Sequence, residues 1–266
     1  MQISKRLAFL PAASDGCALW RMLMPHFNYP SSGYLASEPG TEVPLDLLSS
    51  YQVVMVQRLA TKANRKALEL LHERKIKVIY DLDDDFWSLP KYNPAYGLFR
   101  NPKIIHGLET CASMSDYITV STPYLAAIVK RKIGQKVPVE VVPNCIDLNL
   151  FVRARKKIER DYVIVGWAGT PTHSIDLDPA MNALAQVMRE RKNLHCEFMG
   201  VGVPRQIVQL LQDKVIDESR VKLRPWMPIE QFPAWYSNLR WDIALAPLAI
   251  SNQFNRCKSS VKLLES

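Results

Sequence analysis

The sequence predicts an α/β protein made of two βα-repeating halves with mainly parallel sheets, the second half incomplete. Three observations lead there. Short apolar runs of strand length alternate with amphipathic helical stretches from the N-terminus to about residue 142. The alternation stops at residues 148–161, where Arg153, Arg155, Lys156, Lys157 and Arg160 crowd a segment with few apolar residues. A second series of the same kind opens at Val163. The division that follows is a first domain over residues 1–150, a basic linker over 151–161 and a partial second domain over 162–266.

In the first half, Leu7–Leu10 reads as a buried strand. Pro11 to Gly16 make a turn, and Cys17 to Met24 form a helix stopped by Pro25. Residues 28–50 are rich in Pro, Ser and Gly and read as an irregular crossing. Tyr51–Val56 is a strand, Lys62–Arg74 an amphipathic helix and Lys77–Tyr80 a strand that gives way to Asp81-Leu82-Asp83-Asp84-Asp85. Pro102–Met114 is helical and Tyr117–Val120 extended. Thr122-Pro123 then pairs a hydroxyl N-cap with proline at the first helical position, opening a helix to about Lys132 that Gly134 ends. Pro138–Val142 is the last strand of this half.

In the second half, Val163–Ala168 is a strand followed by Gly169-Thr170-Pro171-Thr172-His173. Asp176–Arg191 is a helix, Leu194–Met199 a strand, Pro204–Asp213 a helix and Val221–Arg224 a short strand. Pro228-Ile229-Glu230 opens a helix to about Leu239, and Asp242–Leu248 is the fourth strand. Four strands leave an open, unprotected sheet edge, so the second domain is expected to be a fragment of a larger one.

Composition narrows the class. Among 266 residues, 48% are hydrophobic and 23% charged, as in an ordinary globular protein. The sequence contains no apolar run of the roughly 20 residues a bilayer span requires. The five cysteines, at 17, 111, 145, 196 and 257, form no CxxC pair, which predicts reduced thiols in a cytoplasmic protein and no zinc site. A net charge of +8 suits an anionic partner: a nucleotide, a nucleic acid or, through peripheral contact, a phospholipid surface.

Two stretches carry the chemistry. The last one, Phe254-Asn255-Arg256-Cys257-Lys258-Ser259-Ser260-Val261-Lys262-Leu263-Leu264-Glu265, follows the fourth strand. A cationic loop entering a helix presents backbone N–H groups and positive charge together and so suits a phosphate or diphosphate. Helical spacing puts Lys258, Lys262 and Glu265 near one face, and the same pattern equally describes a solvated helix start. The acidic run Asp83-Asp84-Asp85 lies at a strand end. There carboxylates can hold a divalent metal, act as a general base, accept hydrogen bonds from sugar hydroxyls, or cap the following segment.

Three motifs in order resemble the retaining GT-B glycosyltransferases that use nucleotide-diphosphate sugars. Val141-Val142-Pro143-Asn144-Cys145-Ile146-Asp147 is similar to that family's Val-x-Pro-Asn-Gly-x-Asp. Gly169-Thr170 is similar to its glycine loop. Asn255-x-x-Lys258-Ser259-x-x-Lys262-x-x-Glu265 is similar to its donor-site helix. The resemblance implies two Rossmann-like domains, nucleotide-sugar binding by the second and acceptor binding by the first. It implies a sugar transferred to an acceptor hydroxyl on a glycan, a lipid-linked glycan or a modified DNA base, with no metal and no cofactor beyond the donor itself. Lys258 would neutralise the leaving diphosphate, with help from Arg256, Lys262 and the backbone N–H groups of Gly169, Thr170 and Ser259. Glu265 would bind the ribose and His173 the sugar or a phosphate. Asp83 is the second catalytic candidate, and Gly16, Asp84 and Asp85 are the acceptor-side ones. The chain departs from the family at Cys145, where glycine is usual, at Thr170, where arginine is common, and over Gln253–Lys258, which lacks the family's first glutamate. These departures and the net charge keep a non-catalytic nucleic-acid- or glycan-binding protein as the alternative.

Overall fold

The computed structural model describes residues 6–35, 43–151, 159–228 and 230–265. The chain forms two compact units. The first runs to Ile146 and includes Arg256–Ser260. The second comprises Asp147–Asn255 and the residues from Val261 onward. Most of the expected basic linker lies outside the described residues.

The first unit is a six-stranded parallel sheet of order β2-β1-β3-β4-β5-β6, formed by β1 (Leu7–Leu10), β2 (Ser32–Tyr34), β3 (Val53–Gln57), β4 (Lys77–Leu82), β5 (Tyr117–Val120) and β6 (Val139–Val141). Its helices are α1 (Gly16–Ala18), α2 (Met24–Phe27), α3 (Leu45–Leu48), α4 (Lys62–Glu73), α5 (Tyr96–Phe99), α6 (Pro102–Met114) and α7 (Pro123–Ile133). Alternation of apolar residues makes these elements. Helix α4 buries Ala67, Leu68 and Leu71 and starts on a capping box between Thr61 and Asn64. Helix α7 starts where the Thr122 hydroxyl accepts the Leu125 N–H and ends at Gly134, whose φ is 93°.

The first unit departs from three expectations. The first helical stretch does not stop at Pro25. A π turn over Leu19–Leu23 joins α1 to α2, and Pro25, with no N–H to place, is accepted in the first turn of α2. Residues 28–50 are not wholly irregular, since β2 pairs in parallel with β1 and α3 follows. Strand β4 continues through Asp81 and Leu82, so Asp81 belongs to the sheet rather than to the loop beyond it.

The second unit is a four-stranded parallel sheet of order β10-β7-β8-β9, formed by β7 (Val163–Ala168), β8 (Leu194–Met199), β9 (Val221–Arg224) and β10 (Ile243–Ala244). Its helices are α8 (Asp178–Glu190), α9 (Arg205–Gln212), α10 (Phe232–Ser237), α11 (Gln253–Arg256) and α12 (Val261–Glu265), with a 3-10 segment Pro171–Leu177 ahead of α8. Trp167, Met181, Met188, Cys196, Phe198, Ile207 and Leu210 fill its core. The fourth strand is only two residues long rather than the expected run to Leu248, and Pro247, with no N–H to donate, cannot continue the ladder. The helix expected from Pro228 is confined to α10, and Ile229 lies outside the described residues.

Candidate functional site

In each sheet the chain starts near the middle, builds to one side and then crosses to the other. The C-terminal ends of the strands flanking that crossing are where ligands bind in parallel α/β sheets. In the first unit that point lies between β1 and β3, in the second between β7 and β10.

At the first switch point, Asp15 follows β1 and caps α1 by accepting the Ala18 N–H at 2.9 Å. Gly16 is the first residue of that helix, and a side chain there would meet open space. Arg58 follows β3 with φ of 53°, a conformation that costs a non-glycine residue about 1 kcal/mol. Its Nη2 donates to Asp15 at 3.0 Å, and its Nε lies 3.9 Å from an oxygen of Asp83. Burial works against the Arg58 charge, but Asp83, Cys17 and Asp15 outweigh it and hold the guanidinium more firmly protonated than usual. Asp83 is 7% exposed, and neither carboxylate oxygen has a hydrogen-bond partner. The Asp84 carboxyl is pushed up to about 7, by burial first and by Asp83 second, with Lys258 opposing. Asp85 turns away from this group. Its carboxylate accepts the Trp87 N–H at 3.2 Å and the Ser88 hydroxyl. Among the described residues no group of three or more His, Cys, Asp or Glu is arranged to hold a metal ion.

Arg256–Ser260 packs with this unit. The Thr122 hydroxyl donates to the Cys257 carbonyl at 2.9 Å, and Cys257 is fully buried. Beside it a buried polar chain runs through the sheet. Asp81 takes the Arg21 guanidinium at 2.6 Å and the Thr119 hydroxyl at 2.7 Å. Arg21 also donates to the Val142 carbonyl and to Asn144 Oδ1, the latter at 3.1 Å. Asn144 Nδ2 in turn donates to Ser259 Oγ at 2.8 Å. Burial opposes the Arg21 charge, yet Asp81 raises its pKa above the ordinary value.

At the second switch point, Gly169 follows β7. A Cβ there would come within 2.6 Å of the Trp167 ring and 2.9 Å of Lys262 Nζ. The glycine therefore lets the ammonium reach the strand end, where Lys262 donates to the Ala168 carbonyl at 2.5 Å and lies 4.9 Å from the centre of the Trp167 ring. The Gly169 N–H is already used, donating to the Met199 carbonyl at 3.2 Å. The Thr170 carbonyl accepts the His173 N–H at 2.9 Å. His173 Nδ1 lies 2.7 Å from Asp176, which is 1% exposed. Asp176 also accepts from Asn255 Nδ2 at 2.8 Å and from the Ala249 N–H at 3.1 Å, tying the loop after β7 to the loop after β10. The Glu265 carboxyl is pushed up to about 7 by burial, with Lys262 opposing.

The structure divides the sequence-derived candidates. Lys258, Ser259 and Arg256 belong with Asp83 and Asp84 in the first unit, whereas Lys262, Glu265, Gly169, Thr170 and His173 belong to the second. Lys258, Lys262 and Glu265 do not share a helical face, because α12 begins only at Val261. Arg21, Arg58 and Asp176 carry no motif, as their roles come from partners distant in the chain, and Asp81, visible in the acidic run, is buried in β4 against Arg21. Trp167 is fully buried, whereas Trp226 is 57% exposed.

No protein-family model matches the sequence, and no curated protein matches it. Solved structures do. Sucrose-phosphate synthase from Thermosynechococcus elongatus superposes with a TM-score of 0.57 at 13% identity, covering 92% of this chain and 77% of that one. HepE from Anabaena in complex with UDP-glucose gives 0.55 at 12% identity, covering 90% and 72%. An alpha-glucosyltransferase in complex with UDP-glucose and DNA containing an abasic site gives 0.53 at 11% identity, covering 90% and 71%. The likeness is one of fold: this chain has a GT-B glycosyltransferase-like fold.

Proposed function

We propose that this chain, with its GT-B glycosyltransferase-like fold, transfers a sugar from a nucleoside-diphosphate sugar to an acceptor hydroxyl. The observation that supports it most is Lys262 seated on the Ala168 carbonyl beside Gly169, at the C-terminal end of β7 and at the switch point of the second sheet. A cation held there suits the diphosphate of a donor, whose departure from the sugar needs positive charge to stabilise it. Glu265, on the same helix, accepts ribose hydroxyl bonds once it is ionised. His173, oriented by Asp176, faces the phosphate or the sugar. The Gly169 N–H, already committed to Met199, takes no part.

In the first unit, Asp83 has unpartnered oxygens that suit an acceptor hydroxyl, with Arg58 and Asp84 around it. Lys258 adds positive charge beside Asp84 within this unit. In this reading transfer is retaining and proceeds without a metal. The five free cysteines suit a reducing cytoplasm, and the acceptor is a glycan, a lipid-linked glycan or a modified DNA base. Two of the structural neighbours carry UDP-glucose, which makes UDP-sugars the first donors to test.

The test is incubation with labelled UDP- and GDP-sugars, reading binding, donor hydrolysis and transfer with EDTA present. Binding and slow hydrolysis are expected. Lys262→Ala should weaken donor binding by about 10- to 100-fold, as for a lost charge-assisted contact. A wild-type protein that neither binds nor cleaves any of these donors sinks the proposal.

A further inference from the structure

Within the second unit, helices α8 and α9 pack against each other and leave a groove of about 580 Å³ between them. Helical spacing lines its walls. Asn182, Gln186 and Arg189 stand at i, i+4 and i+7 on α8, and Arg205 and Gln209 at i and i+4 on α9, with Gln206 beside them. Ala185, buried and short, is its apolar part. The cations of the groove have no counter-ion. Among the described residues no acceptor meets the guanidinium of Arg189 or of Arg205. Arg160, Arg220 and Arg224 of the same unit are instead held by Asp242, by backbone carbonyls and by Glu197. The acids adjoining the groove, Glu190 and Asp213, are taken by amides: Gln186 Nε2 donates to Glu190 at 3.1 Å and Gln209 Nε2 to Asp213 at 2.8 Å. An ionised carboxylate only accepts, so both amides are oriented, and their carbonyl oxygens remain as acceptors without a partner among the described residues. The Gln206 carbonyl oxygen is shut off from water and has no partner either.

We propose that the groove between α8 and α9 binds an anionic sugar, carboxylated or phosphorylated. Three amide oxygens call for hydrogen-bond donors, and sugar hydroxyls supply several at close spacing. Two guanidiniums call for a carboxylate or a phosphate and make paired bonds to its oxygens. An aromatic or aliphatic ligand would gain little, because Ala185 offers it almost no apolar surface. A turn of the Gln206 amide brings its oxygen to a hydroxyl and ends its unpartnered state. The groove shares no residue with the group around Gly169 and Lys262, and the proposal does not rest on sugar transfer.

The test is an NMR titration of the full chain with glucuronate and with glucose 6-phosphate, set against glucose and inorganic phosphate as the two halves of the ligand. Both anionic sugars should bind about tenfold or more tightly than either half, with the shifted amides on α8 and α9. Arg189→Gln and Arg205→Gln should each weaken them by about tenfold at an unchanged melting temperature, since both side chains are exposed. Gln206→Leu should weaken them too, while its melting temperature holds or rises because an unpartnered acceptor is gone. Lys262→Ala should leave this binding unchanged. Polygalacturonate, compared per sugar unit with galacturonate, separates a polysaccharide chain from a free sugar, and either source upholds the site. Four results overturn the proposal: no binding of either anionic sugar, equally tight binding of inorganic phosphate, loss of binding in Lys262→Ala, or full binding by the Arg189→Gln/Arg205→Gln pair. A DNA oligonucleotide that shifts the groove amides where the sugars do not overturns it as well.

Discussion

At the scale of single residues, the first unit concentrates charge where water is scarce. Asp83, Asp84, Asp15 and Arg58 form one electrostatic group, and removing one member leaves the others uncompensated. Arg58→Met deletes the cation facing Asp15 and Asp83. It should destabilise the protein by about 3 kcal/mol, measured by urea denaturation, although relief of the left-handed backbone by a further change to glycine recovers part of this. Asp84 gives the opposite sign. Its pKa rises from 3.8 to about 7 on folding, so the folded state binds the proton more tightly than the unfolded chain does. The resulting stability is fully present below pH 3.8 and is lost as pH climbs through about 7. Asp84→Asn removes the titration. The melting temperature of the variant should rise relative to that of the wild type between pH 4 and pH 8. A difference that does not change with pH would refute this account. The run of aspartates is visible in the sequence. Their unequal fates are not, because Asp81 is buried against Arg21, Asp85 caps a turn, and only Asp83 and Asp84 face the charged group.

At the scale of elements, the terminal stretch is a loop followed by a short helix rather than one helix. Its first part is held by Thr122 and Asn144, its second by Ala168 and Trp167. Gly169 leaves the space that the second arrangement uses. In Gly169→Ala the new methyl meets the buried Trp167 ring, which cannot yield, and the end of Lys262, which can. The expected result is a loss of UDP-glucose affinity of about tenfold with only about 1–2 kcal/mol of lost stability, read by calorimetric titration and thermal melting side by side. Unchanged affinity would place the donor elsewhere. The close packing of Gly166 against the Trp241 indole works in the same unit as a purely structural constraint. There alanine should cost stability, because a Cβ would stand 1.8 Å from an indole carbon.

At the scale of the whole molecule, the net charge of +8 draws anions generally, an attraction that weakens with salt. Specific binding differs by stabilising the folded chain through mass action. UDP-glucose at about 100 times its dissociation constant should add about 2.7 kcal/mol to the stability of the unit that binds it. Thermal melting in the presence and absence of the nucleotide sugar checks this, and at the same concentration Lys262→Ala, with its roughly 10- to 100-fold weaker binding, should cut the gain to about 0.4–1.4 kcal/mol. Glu265, with its pKa near 7, adds a pH dependence. Binding through an ionised carboxylate should strengthen from pH 6 to pH 8, and Glu265→Gln should flatten the profile. No helix among the described residues is long and apolar enough to cross a membrane.

The sequence by itself determined the class of fold, because the periods of apolar residues are local and each strand and helix announces itself within a few residues. It also determined where the glycine loop and the cationic terminal stretch fall, since both are contiguous motifs. Only the tertiary structure decided which charges meet. Arg21 with Asp81, Arg58 with Asp83, Asp176 with Asn255 and Asn144 with Ser259 are pairs brought together by parallel crossovers, which align strand ends from distant parts of the chain. It also decided that Lys258 and Lys262 serve different units. Helical spacing would have put them on one face, and a single short break ahead of Val261 removes that face.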